Sequence, residues 1–467
     1  MTDYALEIEH VPVQGKEDGL LKVRAGEFRA ALAEPSLCAL LSAGLGGFSR
    51  TGEAEFTLDG QPFFPRSPRA ALKKGVAVVT PEGALAGNLS LTDHIRLLPG
   101  MLCGKKKARQ KAEALREACG FAVDLAEPVG NLSAGDRYRG EILLALLRDC
   151  RILTLCQPEG ALTPLELEAL AAGLRKVCRQ GKTVLMLTCR KSAAALADAW
   201  DALSPEMDDA PPERLDIAVG SVTLEARNLM GGGLRDVSFE ARAGEILAIA
   251  GLPDSGKQAL LDAVTGALPL SGGRIRLNGR EINEYSVRER VRAGVACVPG
   301  ADEYYGFPLE NVSVGESMAL RRYREPAFQE SGFLRKREMT RYAEDTLAWL
   351  NIRRGEEETS ENRRRCALSR ETDGNFHALL ILNPTAGLSE DAARDIWNRL
   401  ITLRDERRAV VLLTSDAREA LLAGDRVLTL YQGEITGAFD PAVTTEKELG
   451  LYMTGRRQGG EERFDEE

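Results

Sequence analysis

The sequence predicts an α/β protein built twice over: two tandem domains of one fold, each with a mainly parallel sheet, an antiparallel β subdomain and a helical subdomain. Three observations predict it. An apolar strand, Ile246 to Ala250, runs into the glycine-rich turn Gly251-Leu252-Pro253-Asp254-Ser255-Gly256-Lys257-Gln258 and then into a helical pattern, Ala259 to Val264. Strand, tight turn and helix in that order are the repeating unit of a parallel sheet. Segments of the first half return in the second in the same order, and a repeat period above 200 residues within 467 is domain duplication and not a solenoid.

The elements follow in chain order. Ala25-Gly26-Glu27 opens the first core and is echoed by Ala243-Gly244-Glu245. Thr51 to Gly60 is echoed by Gly272 to Gly279; each segment ends in a hairpin dipeptide, Asp59-Gly60 or Asn278-Gly279, which places the antiparallel subdomains. Lys74 to Pro81 is answered by Ala293 to Pro299, a buried strand in each copy. The charged stretches Lys105 to Arg116 and Arg335 to Arg354 have helical character and belong to the helical subdomains. Apolar strands follow at Arg151 to Leu155, Val184 to Thr188, Leu379 to Leu382 and Val411 to Ser415. Pro205, Asp208, Asp209, Pro211, Pro212 and Glu213 mark a polar, proline-rich join. The boundaries are a first domain over 1–203, a linker over 204–216, a second domain over 217–455 and an acidic tail over 456–467.

Gly251 to Gln258 carries chemistry. The spacing Gly-x4-Gly-Lys lets successive backbone N–H groups point at phosphate while Lys257 supplies the balancing charge. Gly251, Asp254, Ser255, Gly256, Lys257 and Gln258 are the nucleotide-binding candidates. Gln258 stands where a Ser or Thr hydroxyl would bind Mg²⁺, so the loop is equipped for phosphate and poorly equipped for the metal. In the first half, Leu132-Ser133-Ala134-Gly135-Asp136 reads as a capped helix start, whose N–H groups and dipole suit an anion or simply begin an amphipathic helix.

Taken with the duplication, these motifs are specific. Leu132 to Asp136 resembles the ABC signature, and Leu379-Leu380-Ile381-Leu382-Asn383-Pro384-Thr385-Ala386-Gly387-Leu388 resembles the Walker B segment that follows it. Over essentially its whole length the chain resembles the tandem ATP-binding subunit of ABC importers for simple sugars and nucleosides. That resemblance implies two nucleotide-binding domains of the P-loop NTPase fold, ATP as cofactor, and transmembrane permease subunits with a substrate-binding protein as partners. It also implies a cytoplasmic protein held at the inner face of the membrane.

Catalytic equipment departs from the family. The Walker B aspartate and the adjacent glutamate are replaced by Cys156-Gln157 in the first copy and Leu382-Asn383 in the second, so no catalytic residue and no metal ligand is assigned. The switch histidine is replaced by Cys189 and, in the second copy, by Asp416. From Glu27 to Gly44 the first phosphate loop is four residues shorter than Glu245 to Gly266 and holds no Gly-Lys pair. Reading Leu368-Ser369 as the second signature leaves ten residues missing between Ser369 and Leu382, so the second helical subdomain is expected to be reduced. In the family each nucleotide lies between the phosphate loop of one domain and the signature of the other. The expectation is one erased site and one retained site, Gly251–Gln258 with Leu132–Asp136.

Composition adds exclusions. A net charge of −9 argues against a general nucleic-acid binder, and Lys105-Lys106-Lys107 and Arg363-Arg364-Arg365 read as solvated surface. Nine cysteines without Cys-x-x-Cys spacing read as reduced core residues. Without a signal-peptide pattern or an apolar run of about 18 residues, the chain is expected neither to be exported nor to span a membrane. Two functions stand open: a transporter motor with impaired hydrolysis, and a pseudo-ATPase that regulates or scaffolds a permease.

Overall fold

Continuous apolar runs form the central strands of two mainly parallel sheets, Ile152–Cys156 and Thr183–Thr188 in one and Glu245–Ala250, Ala378–Leu382 and Ala409–Thr414 in the other; each is buried along its length, a pattern that needs helices or a second sheet on either side. The computed structural model describes residues 4–13, 16–49, 54–80, 83–98, 105–203, 212–300, 312–353, 355, 360–388 and 390–456. The chain divides into two units, Met1–Asp208 and Asp209–Glu467. Of the expected linker, 204–211 lie outside the described residues, as does the acidic tail from 457. Residues 212–216 carry no regular element, and Arg214 there donates to Asp425 Oδ1 at 3.0 Å within the second unit.

In the first unit the parallel sheet has the order β6 (Val76–Val79), β7 (Ile152–Cys156), β8 (Thr183–Thr188), β3 (Phe28–Leu32), β9 (Ala199–Ala202). Its antiparallel partner sheet runs β2 (Lys16–Arg24), β1 (Tyr4–Val13), β4 (Glu55–Leu58), β5 (Gln61–Pro62). Helices α1 (Pro35–Gly46), α2 (Pro68–Lys73), α3 (Leu91–Leu97), α4 (Lys105–Cys119), α5 (Ala134–Leu147), α6 (Pro164–Arg179) and α7 (Lys191–Ala194) complete it. Local signals start them: Pro164 opens α6 behind a Thr163/Glu166 capping box, which satisfies first-turn N–H groups that have no intrahelical partner. Phe28, Leu153, Leu155, Ile142 and Leu174 build one core layer; Ile8, Leu41, Leu45, Phe56 and Leu187 build the other.

The second unit repeats this topology strand for strand. Its parallel sheet has the order β15 (Val295–Val298), β18 (Ala378–Leu382), β19 (Ala409–Thr414), β12 (Glu245–Ala250), β20 (Arg426–Tyr431), with β21 (Glu434–Phe439) antiparallel at the edge. The antiparallel sheet is β11 (Leu234–Arg242), β10 (Val222–Gly231), β13 (Gly272–Leu277), β14 (Arg280–Glu281). Both expected hairpins form. Asp59 and Gly60 have φ of 50° and 75°, Asn278 and Gly279 of 49° and 77°, the left-handed pair that a two-residue turn needs to follow strand twist. The helices are α8 (Lys257–Thr265), α9 (Val287–Ala293), α10 (Val314–Met318), α11 (Lys336–Trp349), α12 (Ser360–Thr372), α13 (Glu390–Asp405), α14 (Ala417–Ala423) and α15 (Glu446–Met453). A short hairpin, β16 (Gln329–Glu330) with β17 (Phe333–Leu334), precedes α11.

One expectation fails here. Helix α12, the counterpart of α5 before the strand that carries the Walker B position, is 13 residues long against 14. No ten residues are missing, and the second helical subdomain is not reduced at this point. Leu368 and Ser369 sit in the last turns of α12, with Leu368 buried in the core, so they are not a helix start. The counterpart of Ser133 falls at the beginning of α12, beside Ser360. The Leu-Ser pair mimicked a signature because a core leucine and a small neighbour are ordinary in a helix packed on a sheet. The run Arg363-Arg364-Arg365 is likewise not simply solvated: Arg364 is buried and donates to the carbonyls of Pro384, at 3.3 Å, and Ala386.

Candidate functional site: the two strand-to-helix junctions

Residues 251–256 bridge the end of β12 and the start of α8. The turn is closed by Gly251 N donating to Thr414 O at 3.0 Å, Ser255 N to Leu252 O at 3.0 Å and Gly433 N to Ser255 O at 2.8 Å. Glycine is required twice. Gly256 has φ 104°, and a Cβ on Gly251 would stand 2.5 Å from Leu430 O.

Lys257 folds back into this turn. Its Nζ donates to Leu252 O at 2.7 Å and to Gly251 O, and lies 3.4 Å from Ser255 Oγ. The side chain is 2% exposed. Burial pushes its ammonium down to about 7, against an opposing pull from Asp254. A cation at the N-terminus of a helix also meets the unfavourable end of the dipole. Everything about this position favours an anion arriving beside it, and the residues fit a phosphate group.

The surrounding positions fit a metal poorly. Gln258 donates its amide N–H to Asp262 Oδ1 at 2.9 Å, one turn along α8, and has only a neutral carbonyl oxygen to offer a cation. Leu382 is buried, with its side chain against Gly300. Asn383, in the left-handed region at φ 45°, donates its N–H to Leu413 O at 2.7 Å, and its Oδ1 accepts from Ser415 N at 2.8 Å. Among the described residues no group of three His, Cys, Asp or Glu is arranged to hold a metal ion.

The first unit shows the same place with the loop removed. Only Ala33 and Glu34 separate β3 from α1. Ala33 N still donates to Thr188 O at 2.9 Å, as Gly251 does to Thr414. The donor folded over the junction is now a thiol, Cys38 Sγ to Ala33 O at 3.4 Å, which burial pushes well above its usual range. Cys156 ends β7 buried, and Gln157 repeats the left-handed turn of Asn383 at φ 44°. None of the described cysteines forms a disulfide, and most are buried.

The segment Leu132–Asp136, expected to be a signature, lies in the first unit. Ser133 caps α5, accepting from Asp136 N at 3.1 Å, while its hydroxyl donates to Asp136 Oδ2 at 2.8 Å. Arg139 holds Asp136 at 2.9 Å and Glu166 at 2.8 Å, and Leu132 O accepts from Arg137 at 2.8 Å. Ala134 and Gly135 form the first turn and are buried.

Sequence reasoning missed two carboxylates, Glu159 and Glu419. Glu419 is fully buried and accepts from Thr385 Oγ1 at 2.6 Å, Trp397 Nε1 at 3.1 Å and Thr414 Oγ1; burial, with Asp416 adding, raises its carboxyl. Glu159 Oε1 accepts from Thr188 Oγ1 at 2.6 Å and Cys189 N at 2.9 Å. The one available signal was a strand ending in Thr beside a loop that carries a polar residue.

Residues 234–371 match the family model described as ABC transporter. Over nearly its whole length the chain is 28% identical to the nucleoside import ATP-binding protein NupA of Lactococcus lactis, covering 93% of this chain and 94% of that one. It is 27% identical to the guanosine import ATP-binding protein NupO of Bacillus subtilis, over 94% of each. It is 29% identical to the arabinose import ATP-binding protein AraG of Azospirillum brasilense, over 92% of this chain and 89% of that one. The similarity runs through both domains. Among the described residues no helix is long and apolar enough to cross a membrane.

Proposed function

We infer that this chain, a tandem ABC protein by motif order, sheet topology and similarity along both domains, is the ATP-binding subunit of an importer for a simple sugar or nucleoside, and that its hydrolysis is impaired. The observation that carries the reading is Lys257: a buried ammonium inside a glycine turn at a helix start, compensated by backbone carbonyls and costly to keep charged until a phosphate arrives. Docking on permease subunits, and through them on a substrate-binding protein at the inner face of the membrane, is part of the same reading.

ATP, when bound, supplies the phosphoanhydride whose hydrolysis drives an importer. What this chain supplies is positioning. The N–H groups of the turn and Lys257 hold phosphate oxygens, and the start of α8 adds its dipole. Phosphoryl transfer also needs charge compensation by a metal and a group that orients water. Leu382 offers no oxygen, Gln258 offers one neutral carbonyl oxygen in place of a hydroxyl, and Asn383 is neutral with its carbonyl engaged by Ser415. Mg²⁺ therefore has a weak hold here. The same lack of a charged metal ligand favours the second reading, a pseudo-ATPase that regulates or scaffolds a permease.

The test is nucleotide binding with and without Mg²⁺ beside steady-state phosphate release. A charge-assisted contact contributes about 1.5–3 kcal/mol, so Lys257→Ala weakens binding about 10- to 150-fold. Equal affinity in variant and parent overturns the retained site. A parent rate like that of an ordinary transporter ATPase, abolished by Lys257→Ala, overturns the impairment. A silent parent revived in part by Leu382→Asp with Asn383→Glu supports it.

A further inference from the structure

We propose that Glu159 and Glu419 are one device supplied from opposite sides: a carboxylate clamp that fastens the loop after the Walker B strand to the tip of the neighbouring strand, and so positions Gln157 and Asn383. The two places correspond residue for residue along the chain, which pairs Cys189 with Ser415 and corrects the expected pairing with Asp416, the counterpart of Arg190. Gln157 and Asn383 share the left-handed turn, and each donates its N–H to the neighbouring strand, at Leu187 O and Leu413 O, both at 2.7 Å. Each neighbouring strand ends in a threonine, Thr188 or Thr414. Each threonine Oγ1 accepts from the N–H two residues on, Arg190 at 3.1 Å and Asp416 at 3.0 Å, which leaves its proton to give to an acid.

The acid is then placed differently. In the second unit it stands on the helix: Glu419 is the third residue of α14, and the loop contributes Thr385, two residues beyond Asn383. In the first unit it stands on the loop: Glu159, two residues beyond Gln157, takes the proton of Thr188, while the third residue of α7 is Ala193. One position carries the carboxylate and its opposite carries Thr or Ala. Two carboxylates facing across this buried gap would repel, and none would leave the threonine hydroxyls without an acceptor. The exchange of Thr385 with Glu419 for Glu159 with Ala193 keeps the count at one. In the second unit the clamp closes a ring through Asn383, Ser415, Thr414, Glu419 and Thr385, which holds the Asn383 carbonyl on Ser415 N. In the first it reaches Cys189 directly, through N at 2.9 Å and Sγ at 3.2 Å. Both are positioning residues.

The proposal is tested on the full chain without nucleotide, by amide hydrogen exchange of the segments 184–190 and 411–416, so that its failure leaves the phosphate-holding reading untouched. Glu159→Ala and Glu419→Ala each remove a charged acceptor and speed exchange of their own segment at least about tenfold. Moving the acid across restores it. Glu159→Thr with Ala193→Glu, and Thr385→Glu with Glu419→Ala, return their segments to within about threefold of the parent, since paired positions couple where independent ones add. Double variants that exchange as fast as the single ones overturn the proposal. Where a single variant does not fold, recovery of folded protein by the exchange supports it and failure to recover overturns it.

Discussion

The junctions after β3 and β12 begin with the same hydrogen bond, from Ala33 or Gly251 to the threonine that ends the neighbouring strand, and diverge within a few residues. From Gly251 the chain spends six residues on a turn that wraps an ammonium; from Ala33 it spends two and enters a helix opened by Pro35. Sheet order, hairpins and core survive equally in both units. The difference teaches that the parallel sheet needs the junction only as a connection, while the proposed hold on phosphate rests on its length, its glycines and its charge. Fold and chemistry are separable here because they draw on different atoms of the same segment.

The largest effect expected is on stability. Lys257 is held near 7 in the folded protein and titrates near 10.5 when exposed. Between those values the unfolded chain carries a proton that the folded chain lacks, so this group makes stability rise with pH across that window. Below about 7 the full cost of the buried charge applies, on the order of 3–5 kcal/mol as an upper bound. Lys257→Met should therefore raise the melting temperature of the nucleotide-free protein at pH 7 and flatten its rise toward pH 10, read by thermal scans at several pH values.

Next comes affinity. Phosphate restores the proton to Lys257, so binding takes up a proton above pH 7 and nucleotide affinity should fall by up to about tenfold per pH unit between 8 and 9. Isothermal titration in buffers of different ionisation enthalpy reads that proton directly. The contrast with the first unit sharpens in a transplant: Cys38→Lys, made in the Lys257→Ala background, should not restore binding, because a lysine without six residues of turn has no N–H groups to work with. Recovered binding would show that the residue, and not the loop, had been lost.

Much of this was legible. Apolar strands before glycine turns, the Asp-Gly and Asn-Gly hairpins and the short first loop are local signals, and the elements stand where those signals put them. Leu368-Ser369 misled because helix starts are defined by unsatisfied N–H groups, and a two-letter match carries no information about them. Glu159 and Glu419 were invisible for another reason: Thr188 and Glu159 lie 29 residues apart, Thr385 and Glu419 34 apart, and only the sheet brings them within reach.

The smallest effect expected is at the signature. Ser133→Ala removes one cap and should cost about 1 kcal/mol of first-unit stability, seen as a small shift in denaturant midpoint. Its effect on nucleotide affinity, measured beside it, separates a capping turn from a phosphate contact: a loss well beyond tenfold belongs to the second.

Restoring Leu382, Asn383 or Gln258 to family residues takes substitutions, each of which leaves the backbone where it is. Restoring the first junction takes an insertion between a strand end and a helix that Pro35 opens and a left-handed Gly47 closes. Every partial insertion would have to unwind α1 against a core already filled by Leu41 and Leu45 before any phosphate contact could reward it. The loss in the first half is thus a ratchet, and a library of point substitutions selected for nucleotide use should return revertants from the second half alone.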